Sequence, residues 1–205
     1  MKNLAVFASG SGTNAENLIE SFNNGIFKDL ASVKLVVCNK PDAYVLKRAE
    51  KHGVPTAVLN KSQLCGDNIE DIISLLDDYH IDVIILAGYL LQIPPKLIEL
   101  YPEKIINIHP ALLPSPYGGK GMYGERVHKA ILRDKAAFEE KNGKGVKDFY
   151  SGITIHLVDE EMDHGKILFQ SKFILSEDET LESLEAKIHV QEQADYPRVV
   201  AAYLK

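Results

Sequence analysis

Cysteine is scarce in this sequence, and the little there is does not cluster. Cys38 and Cys65 are the only two among 205 residues. There is no C-x-x-C pair and no second ligand cluster, so neither a disulfide framework nor a cysteine-based metal site is expected. Basic charge is also short. The 23 Lys and Arg are outnumbered by 29 Asp and Glu, for a net charge of −6, which argues against nucleic acid as a partner because that surface needs a basic patch. The one Lys-rich stretch, 135–147, carries acids as well. Long apolar runs are missing: "VIILAG" is far too short to span a bilayer. Lys2-Asn3 leads into a strand rather than a long apolar segment, so no export signal and no membrane partner are expected, and the expected location is cytoplasmic. Repeats, low-complexity tracts and linkers are absent too, so residues 1–205 are expected to form a single domain.

What is present is a rhythm. Apolar runs at 3–9, 32–39, 81–88 and 104–109, with "PTAVLN" between them, read as strands. Amphipathic stretches separate them: "TNAENLIESFNNG", "AYVLKRAEKHG", 67–80 and "PPKLIELY". Continuous apolar strands alternating with helices predict an α/β fold, doubly wound, with a mostly parallel sheet and helices on both faces. After residue 110 the rhythm changes. A helix is expected over 124–134, then a charged, glycine-spaced surface excursion over 135–150. "GITIHLVD" and "KILFQSKFIL" alternate and are close enough to pair as an antiparallel addition in the C-terminal half. A long helix, bent or broken near Pro197, closes the chain.

Two places carry chemistry. The first is "ASGSGTNAE", between the first strand and the first helix. Gly10 and Gly12 permit a tight turn, and the free amides near Gly12, Thr13 and Asn14 suit an anion. A side chain at Gly12 is expected to stand where that anion lies. The stretch also matches G-x-G-x-x-A, but the second strand ends in Cys38-Asn39-Lys40 without the acid that a dinucleotide ribose wants. A phosphomonoester is the favoured ligand; a dinucleotide and a merely structural turn are the alternatives.

The second is "NIHPALLPSPYGG". Strand periodicity puts Ile105, Asn107 and His109 on one face, with Ile106 and Ile108 on the other, and Pro110 ends the strand. An amide and an imidazole are thus presented together at a strand end. A carboxylate beside His109 would favour the imidazolium and complete an acid/base device. Asp159, Glu160, Glu161 and Asp163 all qualify, and spacing does not choose among them. The bland reading is a hydrogen-bonded polar pair closing a strand. "PYGGKGMYG" (116–124) is glycine-rich enough for a mobile flap. No histidine pair shows metal spacing, so no metal is expected.

Taken together, "ASGSGTN", "LAGY", "NIHPALLPS", "ITIHLVDEEMDHG" and "VQEQADYP" resemble the phosphoribosylglycinamide formyltransferases, nearly end to end. The resemblance implies transfer of a formyl group from 10-formyltetrahydrofolate, as co-substrate and without a metal, to the amine of glycinamide ribonucleotide in purine synthesis. It makes 1–103 the phosphate-binding half and 104–205 the catalytic and folate-binding half. It assigns Asn107, His109 and Asp163 as the catalytic trio, choosing Asp163 among the acids, and Gly12, Thr13 and Asn14 as phosphate binders. Gly88, Pro110 and Glu192 would contact the ribonucleotide, with Glu192 on the ribose hydroxyls. Leu90, Leu91, Gln92, Ile93 and Asn107 would line the folate site. Glycinamide ribonucleotide and a reduced folate are the implied partners, the chain acting as monomer or homodimer. The sequence departs from the family pattern at Lys166, where a proline is common, and in "YLLQIPP", which lacks an arginine. The alternatives are a formyltetrahydrofolate hydrolase, a sugar or initiator-tRNA formyltransferase, and a phosphate-ligand binding module without turnover.

Overall fold

Strands that are apolar on both faces must be covered on both, and that requirement organises the chain. The computed structural model describes residues 1–65, 69–143 and 149–205. Its strands are β1 (Lys2–Ala8), β2 (Ala31–Cys38), β3 (Thr56–Val58), β4 (Val83–Leu86), β5 (Ile105–His109), β6 (Tyr150–Leu157) and β7 (Ile167–Ile174). They form one sheet in the order β3-β2-β1-β4-β5-β6-β7. The first five are parallel, and β6 and β7 add on antiparallel. This is the expected doubly wound sheet with its antiparallel extension.

Alternation along each strand divides the core in two. Leu4, Val6 and Ala8 of β1 face one layer, with Ile106 and Ile108 of β5. That layer is covered by α1 (Thr13–Ile19, continuing as a π-helical turn through Asn24), α2 (Tyr44–Lys51), α6 (Glu125–Asn142) and α7 (Leu181–Tyr203). Ala5, Phe7 and Ile105 face the other layer, under α3 (Lys61–Cys65), α4 (Glu70–Asp78) and α5 (Pro95–Leu100). Asn107 and His109 therefore share the face of Ile105, as the period of two requires.

Three expectations need correction. The helix expected over 124–134 runs on to Asn142, so the first half of the supposed excursion, 135–142, is helical. Lys135 is buried there, its ammonium donating to Glu139 and to the Glu177 carbonyl; the remainder, 144–148, lies outside the described residues. The helix start at 67–68 also lies outside them. The short α3 was not anticipated, although Asn60 caps it: its Oδ1 accepts from the amides of Ser62 and Gln63. Finally, α7 is not broken at Pro197. Proline removes the bond to the carbonyl four residues earlier, and the freed Gln193 carbonyl accepts instead from Asn17 Nδ2 at 2.8 Å.

Gly12 is held at φ +78, where a Cβ would lie 2.4 Å from Val45 Cγ2 of α2. A side chain at Gly12 would thus meet α2, contrary to the expectation that it would stand in the anion site. Gly10 has nothing within 4 Å of its Cβ position. Gly12→Ala is expected to cost about 1–3 kcal/mol through overpacking at a left-handed backbone, a melting-temperature fall of roughly 3–10 °C. Gly10→Ala should leave thermal unfolding within a degree or so of wild type. A stable Gly12→Ala variant would show that α1 and α2 can separate without penalty.

Candidate active site

The connections out of β1 and β4, neighbours in the sheet, run in opposite directions, to β2 on one side and β5 on the other. Such a switch point leaves a crevice beyond the carboxyl ends of the strands. Here it is a cleft of about 480 Å³. Every anticipated site residue lines it. Gly12, Thr13 and Asn14 come from the turn after β1, and Gly88 and Leu90 to Ile93 from the loop after β4. Asn107, His109 and Pro110 end β5, Asp163 sits between β6 and β7, and Glu192 projects from α7. Within the loop after β4 the side chains differ: Ile93 is buried in the second core layer, while Leu90 is exposed.

Asp163 has φ 60, a backbone state that Asp tolerates better than most residues. Its carboxylate is only 8% exposed. Oδ2 accepts from the Gly119 amide at 2.9 Å and lies 3.5 Å from His109 Nδ1. Oδ1 accepts from Asn107 Nδ2 at 3.3 Å. The second Asn107 N–H points to His156 Nε2 at 3.1 Å. His156 donates from Nδ1 to the Leu157 carbonyl at 2.8 Å, which leaves Nε2 as the acceptor for Asn107. Register explains this contact, because Asn107 and His156 are cross-strand partners in β5 and β6. His109 Nε2 is engaged by the Tyr117 carbonyl at 2.7 Å.

Burial pushes the His109 pKa below its ordinary value, more strongly than Asp163 and the Tyr117 carbonyl pull it up, and His156 adds to the depression. Asp163 thus favours the imidazolium as expected, but burial outweighs it and the net shift is downward. Asp163 is also partly desolvated, but the hydrogen bonds and the histidines around it hold its pKa below the usual carboxylate value.

At the other wall, no side chain caps the start of α1, so its first amides are open to an anion. Asn14 is fixed by α7, donating to Glu192 Oε2 at 2.9 Å and accepting from Gln193 Nε2 at 2.6 Å. Burial raises the Glu192 pKa to about 7, opposed by the Asn14 hydrogen bond.

Comparison with known proteins decides the family. Residues 2–200 match the formyl transferase family. The chain belongs to that family. It is 39% identical over 98% of its length to the chloroplastic phosphoribosylglycinamide formyltransferase of Arabidopsis thaliana, and 38% identical over its whole length to the phosphoribosylglycinamide formyltransferase of Bacillus subtilis. It spans 65% of the Arabidopsis protein and 60% of the Vigna unguiculata one, but 95% of the Bacillus one. The crystal structure of glycinamide ribonucleotide transformylase 1 from Geobacillus kaustophilus superposes with a TM-score of 0.81 at 38% identity, each chain fully covered. The resemblance read from the motifs holds.

Several formyl transferase residues at this cleft escaped the sequence reading. His156 lies in the "ITIHLVDEEMDHG" motif without a role assigned to it, yet it orients Asn107; the cross-strand spacing could have revealed it. Tyr117 and Gly119 act through backbone atoms, which no side-chain pattern signals. They belong to the segment expected to be a flap, and that segment is tied to His109 and Asp163. His128 lines the cleft from α6. Among the described residues, Glu16, Glu20 and His52 have metal-ligand spacing, but Glu16 already accepts from Arg48 and Lys51, cations that oppose a metal ion.

Glu192 makes stability depend on pH. Its unfolded pKa lies near 4.5 and its folded one near 7, so across that window the folded state holds the extra proton and the wild type loses stability as pH rises. Glu192→Gln removes that loss. Urea unfolding should show the variant gaining on wild type between pH 5 and pH 8, by on the order of 2 kcal/mol. An unchanging difference across the range would mean that Glu192 ionises normally.

Proposed function

We propose that this chain transfers the formyl group of 10-formyltetrahydrofolate to the amine of glycinamide ribonucleotide, in de novo purine synthesis. The observation that carries this reading is the Asn107–His109–Asp163 constellation in one cleft with the open start of α1. The substrate phosphate sits at Gly12, Thr13 and Asn14, the ribose hydroxyls at Glu192, and the amine near Gly88 and Pro110. The pterin lies along Leu90 to Ile93 and reaches Asn107. No metal is required.

The neutral amine attacks the formyl carbon, forming a C–N bond and a tetrahedral oxyanion. Collapse of that intermediate breaks the bond to the folate nitrogen. His109 Nε2 donates to the Tyr117 carbonyl, so Nδ1 faces the oxyanion. Nδ1 takes up a proton from solvent as the oxyanion forms, donates from Nδ1–H to that oxygen, and returns the proton to solvent on collapse. The developing negative charge raises the His109 pKa at the moment when charge stabilisation is needed. The long Asn107 contact to Asp163 yields its N–H to the same oxygen. Asp163, through a water, carries the proton from the attacking amine to the leaving folate nitrogen. Phosphate binding, remote from the reaction, aligns the amine.

The chain is proposed to act as one domain, a monomer or homodimer in the cytoplasm. The net charge of −6 and the unpaired Cys38 and Cys65 support that setting and a role without nucleic acid.

Asp163→Asn tests the core of this reading. Formyl transfer in single turnover should fall by at least about 10²-fold, with binding of either substrate changed far less. The His109 pKa, followed by NMR, should fall further as the opposite charge is lost. Asp159 and Glu161 are solvent-exposed and near His164, so Asp159→Asn and Glu161→Gln should stay within a few-fold of wild type. Full activity in Asp163→Asn would assign the carboxylate wrongly. Absence of transfer by the wild type to glycinamide ribonucleotide would remove the proposed function itself.

A further inference from the structure

The Arg48 guanidinium is held on three sides, outside the cleft. Nε donates to the Ser11 carbonyl at 2.9 Å. Nη1 donates to Glu16 of α1, which also accepts from Lys51 at 3.1 Å. The carbon of the guanidinium lies 4.9 Å from the centroid of the Tyr44 ring, a stacking that this planar cation favours. An ion pair joining α1 to α2 would need Glu16 alone. The bond to Ser11 is additional, and it acts on the turn that opens α1.

Glycine on either side of Ser11 gives that turn little stiffness of its own. The stiffness comes from α2. Val45, at the start of α2, donates its amide to the Gly10 carbonyl at 3.2 Å. Two successive carbonyls, those of Gly10 and Ser11, are therefore taken by α2. Both peptide units are trans, and in a trans peptide the following N–H points opposite to the carbonyl. The amides of Ser11 and Gly12 are thus turned away from α2, and neither meets an acceptor among the described residues. Gly10, Ser11 and Gly12 line the cleft, whereas no residue of α2 does. Successive unmatched amides of this kind suit an anion.

We propose that Arg48 is a positioning residue for the phosphate of the acceptor: its grip on the Ser11 carbonyl fixes the Ser11–Gly12 peptide with the Gly12 amide turned to the phosphate. This rests on the proposed function, which puts that phosphate at Gly12, Thr13 and Asn14. Arg48 touches no substrate and acts through the turn, so its effect is confined to phosphorylated acceptors.

Arg48→Met removes the grip and leaves Glu16 to Lys51 and His52. With glycinamide ribonucleotide, its KM should rise at least about tenfold, the order of one lost hydrogen bond to a charged group. Its kcat should stay within about threefold, with the folate KM unchanged. With glycinamide riboside, which lacks the phosphate, kcat/KM should match wild type within about twofold. A merely structural role would lower both acceptors alike. Arg48→Lys keeps a cation beside Glu16 and loses the planar fork, so it should melt like wild type and show the same phosphate-specific loss. Glu16→Gln breaks the ion pairs and leaves the Ser11 bond, so it should melt lower and keep the ribonucleotide KM within about twofold. In the wild type, inorganic phosphate should shift the Gly12 amide resonance, and Arg48→Met should need at least about tenfold more phosphate for the same shift. An unmoved Gly12 resonance, an unchanged ribonucleotide KM in folded Arg48→Met, or equal losses with both acceptors would each overturn the proposal. If the wild type transfers no formyl group, the proposed function fails, and the phosphate titration still decides the role of Arg48.

Discussion

A single buried carboxylate, Asp163, is the constraint around which the cleft is arranged. A carboxylate only 8% exposed must be matched by donors or it will not stay ionised. No lysine or arginine is paired with it among the described residues. Two segments supply the donors instead, Asn107 Nδ2 from β5 and the Gly119 amide from the segment after β5, with the rings of His109 and His156 at 3.5 and 3.6 Å. Each of these partners is itself positioned by the need to reach the same two oxygens. The left-handed backbone at Asp163 is the local strain that aims the carboxylate inward.

The rest of the fold makes that meeting possible. The switch between β1 and β4 opens the crevice, and α7 closes its far wall. The Tyr196 hydroxyl lies 2.8 Å from the Leu86 carbonyl and 3.1 Å from that of Ile106, tying α7 to the end of β4 and to β5. One turn earlier, Glu192 and Gln193 grip Asn14. The helix that carries Glu192 is therefore anchored both to the sheet and to the start of α1. Its passage through Pro197 is paid for by Asn17, so the anchoring side chains stay on one continuous helix.

Electrostatics in the cleft follow burial more than pairing. His109, His128 and Glu192 all shift toward their neutral forms, and desolvation is the first cause in each case. Asp159, Glu160 and Glu185 also line the cleft, so acidic side chains besides Asp163 remain around the groups that shift toward neutrality.

The sequence by itself determined the order of strands and helices, the parallel sheet with its antiparallel edge, and the face shared by Asn107 and His109, because apolar spacing and strand periodicity are local. It also placed the glycine turn and carried the family resemblance. It misjudged the end of α6, because Lys135 looks like a surface residue until Glu139 and the Glu177 carbonyl accept from it. It misjudged Pro197 for the same kind of reason, since Asn17 is distant in the chain. Spacing left four acids open beside His109; only the folded connection between β6 and β7 turns the Asp163 carboxylate toward β5. The protonation of His109 and the role of His156 were likewise decided by tertiary structure. Hydrogen bonds and desolvation depend on which atoms meet in space, and no local pattern records that.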